Sequence, residues 1–369
     1  MFLAALGSVL SAGCLMSDSE ITRGREEQAE QSIYYCRVLR YVLAVSVSCG
    51  LAFGIGWGLS FIFPVFLAKF LADYSSPSHE IYQQLIMAMV LTVLVGMALG
   101  LGAAHYPLVL LLLVALLMFW AYYLFLDPRW NFFATILMIA VMLLPYLGIT
   151  NPGLILYVGL GLSVSGVLAV LAFIILHWLL PEKEQPQTTS SISSSLPTTQ
   201  RIQDALLALL IAYPVIVFFY YFQINGAILT MVFIGILSLQ TTGVKSIKVS
   251  LFLLLTNGVG GGFAVLIYEL LVTTPYFVFF MALITLVSLV IGAKIYQQPQ
   301  KAPIWAGVMS ALLVVLGGTI SSDSKLIEVS FYGRVIQIIL ASAYMIAISM
   351  LIDFYQKYRT LESSRPAIK

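Results

Sequence analysis

From Tyr41 onward, apolar stretches of about 18 to 25 residues follow one another along nearly the whole chain, broken only by short polar turns. A helix in water keeps a polar face, and these runs keep none. Of 369 residues, 61% are hydrophobic and 9% charged, with a mean hydropathy of +1.00, whereas a soluble chain is roughly a quarter charged. The sequence therefore predicts an all-α membrane protein. Barrel strands would alternate polar and apolar residues over about ten positions, and that pattern is absent.

Twelve spans are expected, at 41–58, 60–73, 83–104, 107–126, 130–148, 153–179, 203–222, 225–240, 248–272, 275–293, 303–321 and 332–354. The second and eighth are short. Fourteen residues at 1.5 Å each reach about 21 Å, less than the roughly 30 Å hydrocarbon core, so each reads as a tilted or partial crossing.

Loop charge gives the orientation. With the amino end in the cytoplasm, one side receives fifteen basic residues (Arg23, Arg25, Arg37, Arg40, Arg129, Lys183, Arg201, Lys245, Lys248, Lys294, Lys301, Lys357, Arg359, Arg365 and Lys369) and the other only Lys325 and Arg334. Under the positive-inside rule this predicts a multi-pass protein of the bacterial inner membrane with both termini cytoplasmic. Residues 1–37 read as a leader and cytoplasmic segment. A secretory or lipoprotein signal is discounted, since there is no basic n-region and Ser11 rather than an aliphatic stands three before Cys14; the leader is expected to be mis-called, with Met16 as the true start, or dispensable. Residues 38–180 form a first six-helix unit, 181–200 a Ser/Thr/Pro/Gln-rich cytoplasmic linker, 201–356 a second six-helix unit and 357–369 a cytoplasmic tail.

The two units share punctuation. Arg40 and Arg201 open the first and seventh spans, 161 residues apart. Gly96 and Gly100 in LVGMALGLG answer Gly258 and Gly262 in NGVGGGFA, 162 residues apart, both with G-x-x-x-G spacing. Pro128 and Trp130 recur 175 residues later as Pro303 and Trp305. Six spans per unit is an even number, so both copies enter the membrane in the same direction. A parallel repeat follows, with a translocation path expected where the copies meet.

Several classes are excluded. A net charge of +2 with no basic-aromatic surface argues against nucleic acid. Cys14, Cys36 and Cys49 have no C-x-x-C spacing, and His79, His105 and His177 form no H-x-x-x-H pair, so neither metal nor other cofactor is expected. No Walker A sequence occurs, which argues against ATP hydrolysis. An enzyme acting on lipid-linked substrates would need clustered His, Asp or Glu, and the acids are dispersed.

RYVLAVSVSCGLAFGIGW, the short segment containing FPVFLA, and KSIKVSLFLLLTNGVGGGFA together resemble the fusaric acid resistance and aromatic acid exporter superfamily, over roughly residues 37 to 355. The resemblance is to short bacterial members that fuse two six-span units and lack a large soluble domain. It implies efflux of small organic, often anionic, compounds or drugs, sometimes with a periplasmic membrane-fusion protein as partner. A homo-oligomer is left open.

Within that frame Lys69, inside the apolar run FPVFLAKFLA, is four residues from Asp73, so a helix brings both to one face. Either it snorkels to the inner interface and pairs with Asp73, or it attracts anions at the inner mouth of the path. Arg40 and Arg201 are either interfacial anchors or, joined by Lys245 and Lys248, a basic rim that focuses anions. Asp204 is expected to pair with Arg201. Asn257 and the glycines after it either pack a helix or loosen it toward a cavity. His105 and Glu269, at the outer ends of the third and ninth spans, are proton-coupling candidates. The alternatives to a proton-coupled exporter are a passive organic-anion channel and a non-transporting assembly subunit.

Overall fold

The computed structural model describes residues 18–55, 59–74, 78–181, 197–223, 228–241 and 247–320, together with helical residues at 336, 339–340, 343–344, 347–348 and 350. Side chains are described from Gln31 in the first helix, and in the ninth from Gly258 together with Thr256. The elements are α1 (Asp18–Ile55), α2 (Ile62–Asp73), α3 (His79–Gly102), α4 (Pro107–Phe125), α5 (Asn131–Thr150), α6 (Pro152–Leu179), α7 (Thr198–Phe222), α8 (Ile228–Thr241), α9 (Ile247–Thr273), α10 (Phe277–Gln297) and α11 (Ala302–Ile320). No strand occurs among the described residues. Stretches within eight of the segments, at Gln31–Ile55, His79–Gly102, Pro107–Phe125, Pro128–Ile149, Pro152–Leu179, Thr198–Phe222, Phe277–Gln297 and Pro299–Gly317, are long and apolar enough to cross a membrane. The chain is a multi-pass, all-α membrane protein.

Local chemistry sets the helix starts. Ser78 accepts a hydrogen bond from Ile81 N at 3.2 Å and Asn151 from Gly153 N at 2.9 Å, each satisfying a first-turn amide. Pro107 and Pro152 stand where a missing N–H is harmless. Before the apolar run begins, α1 has already started at Asp18, so the polar segment preceding the first span continues its helix. The two short segments are short helices, α2 with 12 residues and α8 with 14. They reach about 18 and 21 Å, too little to cross unaided.

Backbone approach between α3 and α5 is made by glycine. A Cβ on Gly96 would stand 2.7 Å from Ala140 O, one on Gly100 3.0 Å from Leu144 O, and one on Gly148 2.6 Å from Gly100 O. The corresponding approach between α9 and α11 is made by Gly260, whose Cβ would stand 2.6 Å from Val308 O. The spaced pair on α9, Gly258 and Gly262, meets nothing within 4 Å among the described residues. Two residues along a helix turn the side chain by about 200°, so Gly260 faces α11 while the spaced pair looks away from it.

The helices from the two halves of the chain interlock. α1 lies antiparallel on α10, with Tyr41 against Gly292, a 2.9 Å hydrogen bond between Ser46 and Thr285, and Phe53 edge-on to Phe280 at 5.0 Å. α7 lies on α4, where Tyr213 donates to Leu111 O at 3.2 Å. Phe61, just before α2, packs on Gly317 of α11, and Gly235 of α8 packs on Met142 of α5. Near one end of the bundle, Tyr122 on α4 donates to Ser238 on α8 at 2.6 Å, and Tyr296 on α10 donates to Leu71 O on α2 at 3.0 Å. Shifting each helix number by six turns α1/α2, α3/α5 and α4/α5 into α7/α8, α9/α11 and α10/α11, and it likewise turns α1/α10 and α2/α11 into α7/α4 and α8/α5.

Candidate functional site

The charged side chains of the described core gather at one end of the bundle. Phe70 of α2 touches Phe132, at the start of α5, with ring centroids 5.0 Å apart, and the next residue, Leu71, accepts from Tyr296 at the end of α10. The starts of α5 and α11 and the carboxyl ends of α2, α4, α6 and α10 are therefore level. Lys69, Asp73, Arg40, Asp127, Arg201 and His177 all lie there.

Lys69 Nζ stands 3.0 Å from Asp73 Oδ2, and both side chains are about one-third exposed, at 34% and 36%. The i,i+4 spacing forms the pair locally. Beyond it Tyr74 closes α2, and burial first, then the Asp73 carboxylate, push its phenol up to about 12, so it stays a neutral donor at physiological pH.

Arg40 is 2% exposed and donates from Nη1 to Leu180 O at 3.3 Å, at the carboxyl end of α6. Arg201 donates to Tyr123 O at 3.2 Å, lies 4.6 Å over the Tyr123 ring and pairs with Asp127 at 3.8 Å, at the carboxyl end of α4. Each guanidinium thus meets the unsatisfied carbonyls and negative dipole of a helix end, which offsets the desolvation of its charge. The expected partner of Arg201 is corrected: Asp127 on another helix takes the place of Asp204. The two arginines share an end of the bundle but sit on different seams, Arg40 between α1 and α6 and Arg201 between α7 and α4.

Arg201→Met should cost about 1–3 kcal/mol, since a charge-assisted hydrogen bond and a ring contact go together. Asp127→Asn should cost under about 1 kcal/mol, because the ion pair is long and Asp127 is one-third exposed. Thermal unfolding in detergent measures both, and equal losses would assign the seam to the ion pair instead.

His177 was legible only as an isolated histidine. It is 8% exposed, donates from Nδ1 to Phe173 O at 2.9 Å and packs on the Phe173 ring at 4.3 Å. His105 lies in the exposed turn after α3, and Glu269, also exposed, in the last turns of α9, both at the opposite end of the bundle. No hydrogen bond or ion pair joins them. Lys245 lies outside the described residues, as do the side chains of Lys248 and Asn257.

A buried hydroxyl that no motif marks is Thr230, in the first turn of α8. It is 9% exposed and its Oγ1 has no hydrogen-bond partner. Single hydroxyls in apolar runs carry no periodic signal, so neither Thr230 nor the Tyr122–Ser238 bond could be found from sequence.

No curated protein and no solved structure matches the chain. The model of a membrane-protein family described as "Protein of unknown function (DUF2955)" matches residues 37–176, a stretch that opens within α1 and closes three residues before the end of α6.

Proposed function

We propose that the chain is a secondary transporter of the bacterial inner membrane that exports small organic anions or amphiphilic drugs, driven by the proton gradient. Its two six-helix units are like-oriented, twelve spans cross or partly cross the membrane, and both termini lie in the cytoplasm. The reading rests on the interlocking of the halves: the same helix pairs recur after a shift of six, and the pairs that join the halves exchange with each other. Such packing supports two copies facing one another across a shared axis, the arrangement in which transporters hold a path between repeats. The family match, over residues 37–176, lies almost wholly within the first of these units.

The basic end fits the cytoplasmic mouth, where Lys69, Arg40 and Arg201 raise the potential seen by an approaching anion. His105 and Glu269, at the other end, are proposed to exchange protons with the outside. The likeness to the fusaric acid resistance and aromatic acid exporter superfamily supplies the substrate class, and a periplasmic membrane-fusion protein is proposed as a partner on the same basis.

Purified protein in proteoliposomes should move radiolabelled benzoate against its gradient when a pH gradient is imposed, and a protonophore should abolish the accumulation. Benzoate flux that is unchanged by the protonophore identifies a passive anion channel. A protein that moves neither aromatic acids nor hydrophobic drugs is an assembly subunit, and the transporter reading ends there.

A further inference from the structure

The start of α8 combines a helix terminus and a buried donor, with no opposing charge on α5 or α8. Thr230 is the third residue of this 14-residue helix, and its hydroxyl is buried and without a hydrogen-bond partner. Ser238, eight residues further on, bonds Tyr122 close to the end of α4. At 1.5 Å per residue Thr230 is therefore about 12 Å deeper into the bundle than that bond, well inside a hydrocarbon core of roughly 30 Å. Gly235 fixes the helix against Met142 of α5, so this terminus lies on a seam between the halves of the chain.

The leading N–H groups of a helix have no intrahelical acceptor, and the helix dipole adds positive potential at that end. A hydroxyl buried without a partner beside them is costly unless something accepts from it. Neither α5 nor α8 contains an Asp, Glu, Lys, Arg or His, and the charged residues of α7, Arg201 and Asp204, stand near its opposite end. No carboxylate on α5 or α8 is present to hold a cation, and the terminus repels one. The sign selects an anion.

The start of α2, the other short helix, leaves no buried hydroxyl unpartnered among the described residues. Its Ile62 and Phe63 amides are closed by Leu59 O and Ser60 O at 3.2 and 3.1 Å, Pro64 has no N–H, and Ser60 already donates to Ala52 O. Its donors are spent within the turn.

We propose that the first turn of α8 is a carboxylate-binding site within the membrane, with Thr230 Oγ1–H as its side-chain donor, and that it holds the acidic group of a small organic anion. The site deepens the transporter reading and rests on it for the passage of the ligand, while binding itself can be measured separately.

The test uses full-length protein with benzoate and its neutral isostere benzamide. Benzoate binding is read in detergent as ligand-dependent thermal stabilisation, and transport is read in proteoliposomes. Thr230→Val, close in shape but without the hydroxyl, should weaken benzoate binding about tenfold, the scale of one hydrogen bond to a charged group. Thr230→Ser should bind as the parent does, and benzamide should respond far less to either change. The site is overturned if the valine variant binds benzoate like the parent, if serine is as poor as valine, or if the parent binds no carboxylate. A parent that binds benzoate through Thr230 yet moves neither aromatic acids nor hydrophobic drugs keeps the site and ends the transporter reading. Transport that survives Thr230→Val undiminished does the reverse.

Discussion

Gly96→Ala and Gly260→Ala should each destabilise the protein by about 1–3 kcal/mol, read as a lower unfolding temperature in detergent, with leucine at either position worse. The new Cβ would meet a backbone oxygen at 2.7 Å for Gly96 and 2.6 Å for Gly260. Backbone inside a packed helix cannot swing aside as a side-chain tip can, so the two helices must separate and lose contacts along their length. Gly258→Ala and Gly262→Ala should do the opposite. Among the described residues nothing stands within 4 Å of their added carbons, and alanine favours a helix over glycine by up to about 1 kcal/mol. The contrast between neighbours on one helix is the informative result. If Gly258→Ala falls as far as Gly260→Ala, another helix occupies the face that the G-x-x-x-G spacing picked out, and the packing assigned to α9 is wrong.

That glycine helix shows where sequence reading loses its grip. Apolar runs locate helices because length and hydropathy are properties of a single segment, and α3 through α7 begin and end within about five residues of the runs that predicted them. Which face of a helix meets a neighbour depends on where the neighbour is. In α3 the spaced glycines lie on the contact face, but in α9 the contact falls to Gly260 between them. Charge pairs divide in the same way. Lys69 and Asp73 are neighbours on one helix, so spacing alone predicts their 3.0 Å contact. Arg201 has Asp204 at a comparable spacing, yet its long side chain reaches Tyr123 O and Asp127 at the end of α4, where two acceptors and an aromatic face are available together. An acceptor on a separate helix leaves no trace in the local pattern. His177 and Thr230 carry even less signal, each being a single polar residue that interrupts no period.

Lys69→Met should lower benzoate flux in proteoliposomes about tenfold while leaving flux of a neutral hydrophobic drug unchanged, the scale expected when one charge is removed from a partly screened mouth. The change should alter stability by no more than about 1 kcal/mol, because both members of the pair are one-third exposed. One residue along α2 turns the side chain about 100°, so Lys69 points off the Phe66 and Phe70 face that packs on Phe132. The ammonium pairs with Asp73 and stays about one-third exposed. Two further variants separate attraction of substrate from simple pairing. Lys69→Arg keeps the charge and should keep the flux. Lys69→Met combined with Asp73→Asn removes the stranded carboxylate, so a defect caused only by that carboxylate would be repaired, whereas loss of an anion-attracting charge would not. Full recovery in the double variant, or an equal loss for the anion and the neutral drug, would return Lys69 to the membrane interface as an anchor.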